Sequence, residues 1–179
     1  MRFKLSILIS ILVFDFAFSQ SKQVLAVVEN INQYSEAIDK DKEVIEHKFE
    51  VKGKDKTILY QYSKKGNEIV KISREWKENS NNWWELYRDY FLLKNEERIF
   101  AVQSITYTNM SDAEDIIGWS STFWINKKVV HMVSLGHGKS EMDDWDYESE
   151  LKENFNYMLK AVKEFDKNRL AKVIIKEKT

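Results

Sequence analysis

The chain has 179 residues, with 28 basic and 29 acidic side chains, and it contains neither cysteine nor proline. A net charge of −1 argues against a nucleic-acid-binding protein, because that binding depends on neutralising phosphates with a basic surface. The lack of cysteine excludes disulfides, thiol catalysis and cysteine-ligated metals, and an aromatic content of 13% is typical of a folded chain.

Residues 1–19 are predicted to be a signal peptide. The basic start MRFK precedes the apolar run LSILISILVF, and the tripeptide AFS then supplies small residues at a cleavage site before Gln20. The apolar stretch is shorter than the roughly 20 residues that span a bilayer, so we expect no membrane span after cleavage. Because secreted eukaryotic domains commonly use disulfides, a cysteine-free chain favours the periplasm of a Gram-negative bacterium, or secretion from one.

Residues 20–179 are predicted to form a single α+β domain, since one core usually organises about 100–200 residues. Apolar residues at steps of three and four predict a helix from Lys22 to Asp39. Segments rich in β-branched and aromatic residues, bounded by polar turns, then predict an antiparallel meander of about seven strands. These segments are Val44–Val51, Thr57–Ser63, Glu68–Lys77, Trp83–Lys94, Glu97–Thr108, Gly118–Asn126 and Lys128–Leu135.

A weak internal repeat organises the strands into hairpins. The stretches YQYSKKGNEIVKI, DYFLLKNEERIFAV and TFWINKKVVHMV each join an aromatic strand to an apolar strand through a polar turn, near Gly66, Asn95 and Lys127 respectively. A repeated unit of this kind buries its apolar face by stacking beside the next unit. The pattern resembles small exported bacterial proteins of unknown function with MORN-like hairpin repeats. That resemblance implies an architecture and carries no functional residue.

A C-terminal amphipathic helix is predicted from apolar residues that advance by three or four positions with polar residues between them. These residues are Tyr147, Leu151, Phe155, Met158, Val162 and Phe165. The acidic stretch EMDDWD precedes them, where the positive end of a helix dipole favours negative charge. The pattern does not decide whether residues 170–179 form helix, strand or tail.

The hairpin around Asn95-Glu96 carries aromatic residues on both of its faces. A two-residue turn predicts that the even-numbered residues of Trp83–Lys94 face the main core and that Phe91 lies opposite Phe100 on the second face. A three-residue loop would exchange these faces.

That second face has two interpretations. In the first, curvature of the sheet buries it. In the second, it binds a partner protein or small ligand, because exposed apolar patches and Trp and Tyr anchors mark interaction sites. The candidate contact residues are Trp83, Tyr87, Phe91 and Phe100. A structural envelope component that uses this face for self-association is a third possibility.

An enzyme is the alternative from another class, as a metal-dependent or acid/base hydrolase. Its residues would be His131, His137 and the group Asp143–Asp146, which have the donor types that zinc accepts. Their spacing matches no metal or catalytic motif, so we expect no catalytic residue, metal or cofactor. The partner, the ligand and the oligomeric state are left open.

Overall fold

The computed structural model describes residues 22–80, 82–111, 116–136 and 145–177, with side chains of the last helix described to Arg169. It confirms the predicted α+β fold of an N-terminal helix, a seven-stranded antiparallel meander and a C-terminal helix. The elements are α1 (22–40), β1 (Val44–Lys52), β2 (Thr57–Lys65), β3 (Glu68–Ser80), β4 (Trp83–Lys94), β5 (Glu97–Asn109), β6 (Ile116–Asn126), β7 (Lys128–Gly136) and α2 (Tyr147–Glu177). Residues 1–19 lie outside the described part. Within it, no helix combines the length and apolar character that crossing a membrane requires.

The three predicted hairpins share one irregularity. In each, the strand after the turn carries one unpaired residue at its third position, where the pairing register shifts. The extra residues are Val70, Ile99 and Val130. These are β-bulges, which bend a strand and increase its twist. The sequence repeat is therefore also a repeat of backbone geometry.

The bulge at Ile99 makes the predicted register of the β4–β5 hairpin wrong. The two-residue turn is present, since Lys94 pairs with Glu97, and Asn95 and Glu96 have the positive φ angles of 54° and 63° that a type I′ turn needs. Beyond the bulge, however, Phe91 pairs with Ala101, and Phe100 pairs with Leu92. Since a one-residue shift moves every side chain to the other face of a strand, Phe91 and Phe100 lie on opposite faces.

The sheet lies between the two helices. The face that carries Tyr62, Phe91 and Phe123 packs against α2, and we call it the α2 face. On the other face, called the α1 face, Trp124 Nε1 donates to Asn32 Oδ1 at 2.9 Å, and Lys71 pairs with Asp39. These contacts place α1 over the ends of the strands near the hairpin turns.

The C-terminal helix packs on the sheet as its periodicity predicts. Its residues Leu151, Met158 and Val162 are fully buried in the main core. Asp146, immediately before the helix, accepts a hydrogen bond from the Ser149 backbone N–H at 3.1 Å, and this bond lowers the pKa of the Asp146 carboxyl. This is an N-cap, and it confirms the electrostatic interpretation for Asp146, whereas residues 141–144 lie outside the described part. The helix continues to Glu177, which answers the open question for residues 170–177.

A second group of charges anchors the other end of α2. Asp166 accepts hydrogen bonds from Tyr62 at 2.9 Å, Lys64 at 2.6 Å and Arg169 at 3.1 Å. Burial opposes ionisation of Asp166, but these three donors outweigh it and lower its pKa to about 2. Burial, together with the hydrogen bond to Asp166, raises the pKa of Tyr62 to about 12. The helix is thus attached to β2 by an ionised, hydrogen-bonded carboxylate.

Candidate functional site

A cleft of about 340 Å³ opens between the first half of α2 and the α2 face of the sheet. Strands β3 to β6 supply its floor, and Glu150 and Asn154 of α2 supply one wall. The volume lies within the range of small-molecule sites, roughly 300–1,000 Å³. The floor consists of two rows of side chains, one aromatic and one polar, which run across the strands.

The aromatic row joins four neighbouring strands. Trp76 pairs with Tyr87, Tyr87 with Ile105, and Ile105 with Trp119. The rings of Trp76 and Tyr87 stack in parallel, with centroids 4.9 Å apart and planes 4° apart. Both are only partly buried, so the row adds apolar surface to the lining of the cleft.

Acidic residues hold the polar tips of these two rings. Trp76 Nε1 donates to Glu78 Oε1 at 2.8 Å, and the Tyr87 hydroxyl donates to Glu85 Oε2 at 2.5 Å. This hydrogen bond, together with burial, raises the pKa of Tyr87. The phenol therefore stays neutral, and both rings are fixed in orientation.

The polar row lies directly beside the aromatic one. Arg74 pairs with Asp89, and Asp89 pairs with Gln103. The Arg74 guanidinium bonds Asp89 Oδ2 through Nε at 2.8 Å and through Nη2 at 2.7 Å, and it also donates to Asn154 Oδ1 at 2.8 Å. It lies 5.0 Å from the centre of the Trp76 ring, within cation–π range. The arginine thus links the polar row, the aromatic row and the helix.

Gln103 lies between two carboxylates in this row and is only 4% exposed. Its Nε2 donates weakly to Asp89 Oδ1 at 3.4 Å and to Glu150 Oε1 at 3.3 Å. Its carbonyl Oε1 is buried and has no hydrogen-bond partner among the described residues. A buried acceptor without a donor is costly, by roughly 1–3 kcal/mol, and such groups call for an explanation. A ligand O–H or N–H in the cleft would supply the missing donor once the Gln103 side chain turns towards it.

Of the four predicted contact residues, only Tyr87 lines this cleft. Trp83 is on the same face but at the far end of β4, paired with Asn109 and partly buried. Phe91 is fully buried, with its ring edge-on to Phe155 at 5.4 Å. The prediction that Phe91 contacts a partner is wrong in this structure, because α2 covers it.

Phe100 does not belong to that group of residues. It lies on the α1 face, where its ring meets Trp124 at 5.4 Å and Tyr90 at 6.2 Å, edge-on in both cases. The prediction of one shared surface for the four residues is therefore wrong, and the cause is the bulge at Ile99. Contact of Trp83 with a ligand stays a prediction.

The residues of the alternative enzyme do not converge in the described part of the chain. His131 is exposed on the α1 face beside Trp124, with ring centroids 5.2 Å apart. Asp146 is the N-cap of α2. His137, Asp143 and Asp144 lie outside the described residues, and within those that are described no cluster of three or more metal-binding side chains occurs.

The polar row was not among the predictions, although the sequence carries a signal for it. On each of four consecutive strands, one polar residue sits two positions from an apolar residue on either side. The four triplets are Ile72-Arg74-Trp76, Tyr87-Asp89-Phe91, Ala101-Gln103-Ile105 and Trp119-Ser121-Phe123. The observed pairing brings the four polar residues into one line. Finding this line from sequence requires the true register, which the bulges hide.

Comparison with known proteins gives no relative for this cleft. No protein-family model matches the chain, and neither a curated protein nor a solved structure matches it significantly. The resemblance to MORN-like repeats therefore stays a prediction.

Proposed function

We propose that this protein is an exported, non-enzymatic binding protein that holds a small molecule in the cleft beneath α2. The observation that carries the proposal is the buried Gln103 Oε1 without a donor, beside an apolar aromatic surface in a cleft of ligand size. Ligand sites typically combine such an apolar lining with a few placed polar groups.

The two rows suggest the chemistry of the ligand. The aromatic row suits the apolar edge of a ring compound, because aromatic rings also pack edge to face. Gln103 Oε1 suits a hydroxyl or amide donor. Arg74 and Asp89 largely neutralise each other at 2.7 Å, which favours an uncharged ligand. We propose a neutral ring compound with at least one hydroxyl or N–H group.

The polar groups of the cleft bond mainly to one another. Arg74 is held by Asp89 and Asn154, and Glu150 accepts hydrogen bonds from Gln103 and Trp145. Groups fixed in this way are suited to orienting a ligand. This arrangement supports binding over proton transfer.

Export is part of the proposal because of the amino-acid order of residues 1–19. The basic, apolar and small-residue regions follow in the sequence of a secretory signal. We expect the chain recovered from the periplasm or medium of a bacterial host to begin at Gln20. N-terminal sequencing of that chain would read Met1 instead if the signal were not cleaved.

Ligand binding is tested by thermal unfolding of residues 20–179 with monosaccharides, aromatic alcohols and cyclic amides. A compound at about 100 times its dissociation constant stabilises by about 2.7 kcal/mol, which raises the melting temperature of a domain this size by roughly 5–10 °C. For the compound with the largest shift, titration calorimetry on Trp76→Leu and Gln103→Met should show affinity reduced about tenfold or more, since each removes one ligand contact worth about 1.4 kcal/mol.

The matched control is Trp84→Leu. Trp84 is a tryptophan on the opposite face of the sheet, 48% exposed, and it is outside the cleft. Its substitution should leave affinity unchanged. If Trp84→Leu weakens binding and Trp76→Leu does not, the ligand binds the other face and the proposal for the cleft fails.

A further inference from the structure

Strand β1 is an edge of the sheet. Its nine residues, Val44–Lys52, pair with β2, and no other strand of the described residues lies on its outer side. An edge strand of this length presents a row of unpaired N–H and C=O groups, which can pair with another chain. A second copy of β1 is one such chain.

The charges along β1 fit a second copy in antiparallel orientation. Glu46, Lys48, Glu50 and Lys52 alternate in sign along one side of the strand, and all are exposed. If Phe49 lies opposite Phe49 of the partner subunit, Glu46 faces Lys52 of the partner subunit and Lys48 faces Glu50 of the partner subunit. All four positions then meet an opposite charge, which stabilises a cross-strand pair.

A shift of two residues removes this match. With Lys48 opposite Lys48 of the partner subunit, Glu46 faces Glu50 of the partner subunit, so like charges meet and repel. An odd shift would place the charged side of one strand beside the apolar side of the other. The alternating pattern therefore distinguishes the register centred on Phe49 from its neighbours.

An apolar groove runs beside this edge. It has a volume of about 460 Å³ between β1 and α2. Its apolar lining comes from Phe49, Val51, Tyr60, Tyr157, Ala161 and Phe165, and Glu50, Lys160, Glu164 and Asn168 form its polar rim. Tyr157 is 56% exposed and Val51 is 38% exposed, so apolar surface remains open to solvent next to the free strand edge.

The direction of α2 brings its last turns towards the same edge. Along the helix, Tyr147 contacts Phe123 of β6, Phe155 contacts Phe91 of β4, and Phe165 stacks on Phe49 of β1 at 4.2 Å. The helix continues from Phe165 to Glu177, which is 12 residues or about 18 Å at 1.5 Å per residue. The sequence of that continuation includes LAKVIIKE, which is rich in apolar residues.

We propose that the protein forms a two-fold homodimer through β1, with Phe49 on the axis and a continuous antiparallel sheet across both subunits. The end of each α2 passes over the partner's β1 and lies along its apolar groove. Backbone pairing supplies the contact, the alternating charges set the register, and the groove supplies apolar burial.

The dimer is tested by sedimentation equilibrium of residues 20–179 and of two charge variants. Lys48→Glu/Lys52→Glu makes the edge wholly acidic, and Glu46→Lys/Glu50→Lys makes it wholly basic. We expect the wild-type protein to be a dimer, each variant to be a monomer at the same concentration, and an equimolar mixture of the variants to form a heterodimer. Restoration by mixing excludes general damage to the fold. A monomeric wild-type protein, or variants that stay dimeric alone, would overturn the proposal.

The register is tested by cysteine cross-linking. The chain has no cysteine of its own, so only the introduced cysteines can form a disulfide. Under mild oxidation, Lys48→Cys mixed with Glu50→Cys should form a disulfide between the two different variants, since these positions face each other. Lys48→Cys alone should cross-link at least several-fold more slowly. Faster cross-linking of Lys48→Cys alone would show a register with Lys48 on the axis and contradict the charge argument.

Discussion

Replacing Phe91 with alanine is expected to lower the free energy of unfolding by about 3–5 kcal/mol, the usual cost of emptying a buried phenylalanine site. Phe91 has no exposed surface. It lies between its cross-strand neighbours Ile72 and Ala101, with Phe155 of α2 above it at 5.4 Å. The loss therefore affects both the sheet and the docking of the helix. Urea denaturation with a common m-value measures it.

The control for Phe91→Ala is Trp84→Ala on the same strand. Trp84 lies on the α1 face, at the end of β4 away from the hairpin turn, and is 48% exposed. Its loss should therefore change the free energy of unfolding by about 1 kcal/mol or less. The register predicted from a regular hairpin would give the opposite order, because it places the even-numbered residues of β4 in the core. A larger effect at Trp84 would therefore refute the assignment of the two faces.

Arg74→Met is expected to cost about 3–5 kcal/mol of stability, because it leaves the Asp89 carboxylate buried without its cation. The two side chains are 11% and 7% exposed, and their charged atoms are 2.7 Å apart. The double variant Arg74→Met/Asp89→Leu should recover most of the loss, since an apolar pair of similar volume avoids the unpaired charge. Chemical denaturation of the three proteins forms the test.

The adjacent residues of the same two strands provide a matched control. Glu75 pairs with Arg88 across β3 and β4, but on the opposite face, where the side chains are 45% and 51% exposed and 3.4 Å apart. An exposed pair contributes about 0–1 kcal/mol, so Arg88→Met should be nearly neutral. Equal losses at Arg74 and Arg88 would show that burial does not distinguish the two pairs.

The arrangement of elements was predictable because its signals are local. The steps of three and four in α2 describe one face of a helix, and that face is the one buried. The two-residue turn at Asn95-Glu96 was also predicted correctly, since two polar residues between apolar runs indicate a short hairpin loop. These features depend on residues within a few positions of one another.

The cleft was not predictable in the same way. One extra residue after the turn, Ile99, changes which residues of β5 lie opposite those of β4, and alternation within the hairpin does not reveal it. The site also joins distant residues, since Arg74 meets Asn154 across 80 positions. Only the apolar residue shared by the three repeats at the third position of the second strand, Val70, Ile99 and Val130, marks the bulges in the sequence.

The path of the chain through the fold sets the order in which its apolar surface is covered during synthesis. Each strand pairs with its neighbour in sequence, so the hairpins can close as soon as they are made. The cover of the α2 face comes last: 29 residues separate the end of β7 at Gly136 from Phe165. At about 5–20 residues per second, a finished sheet waits roughly 1.5–6 s before Phe165 is made and can cover Phe49. During that interval the nascent chain can bind chaperones or aggregate through its uncovered apolar face. A truncation before α2 would leave that face uncovered permanently.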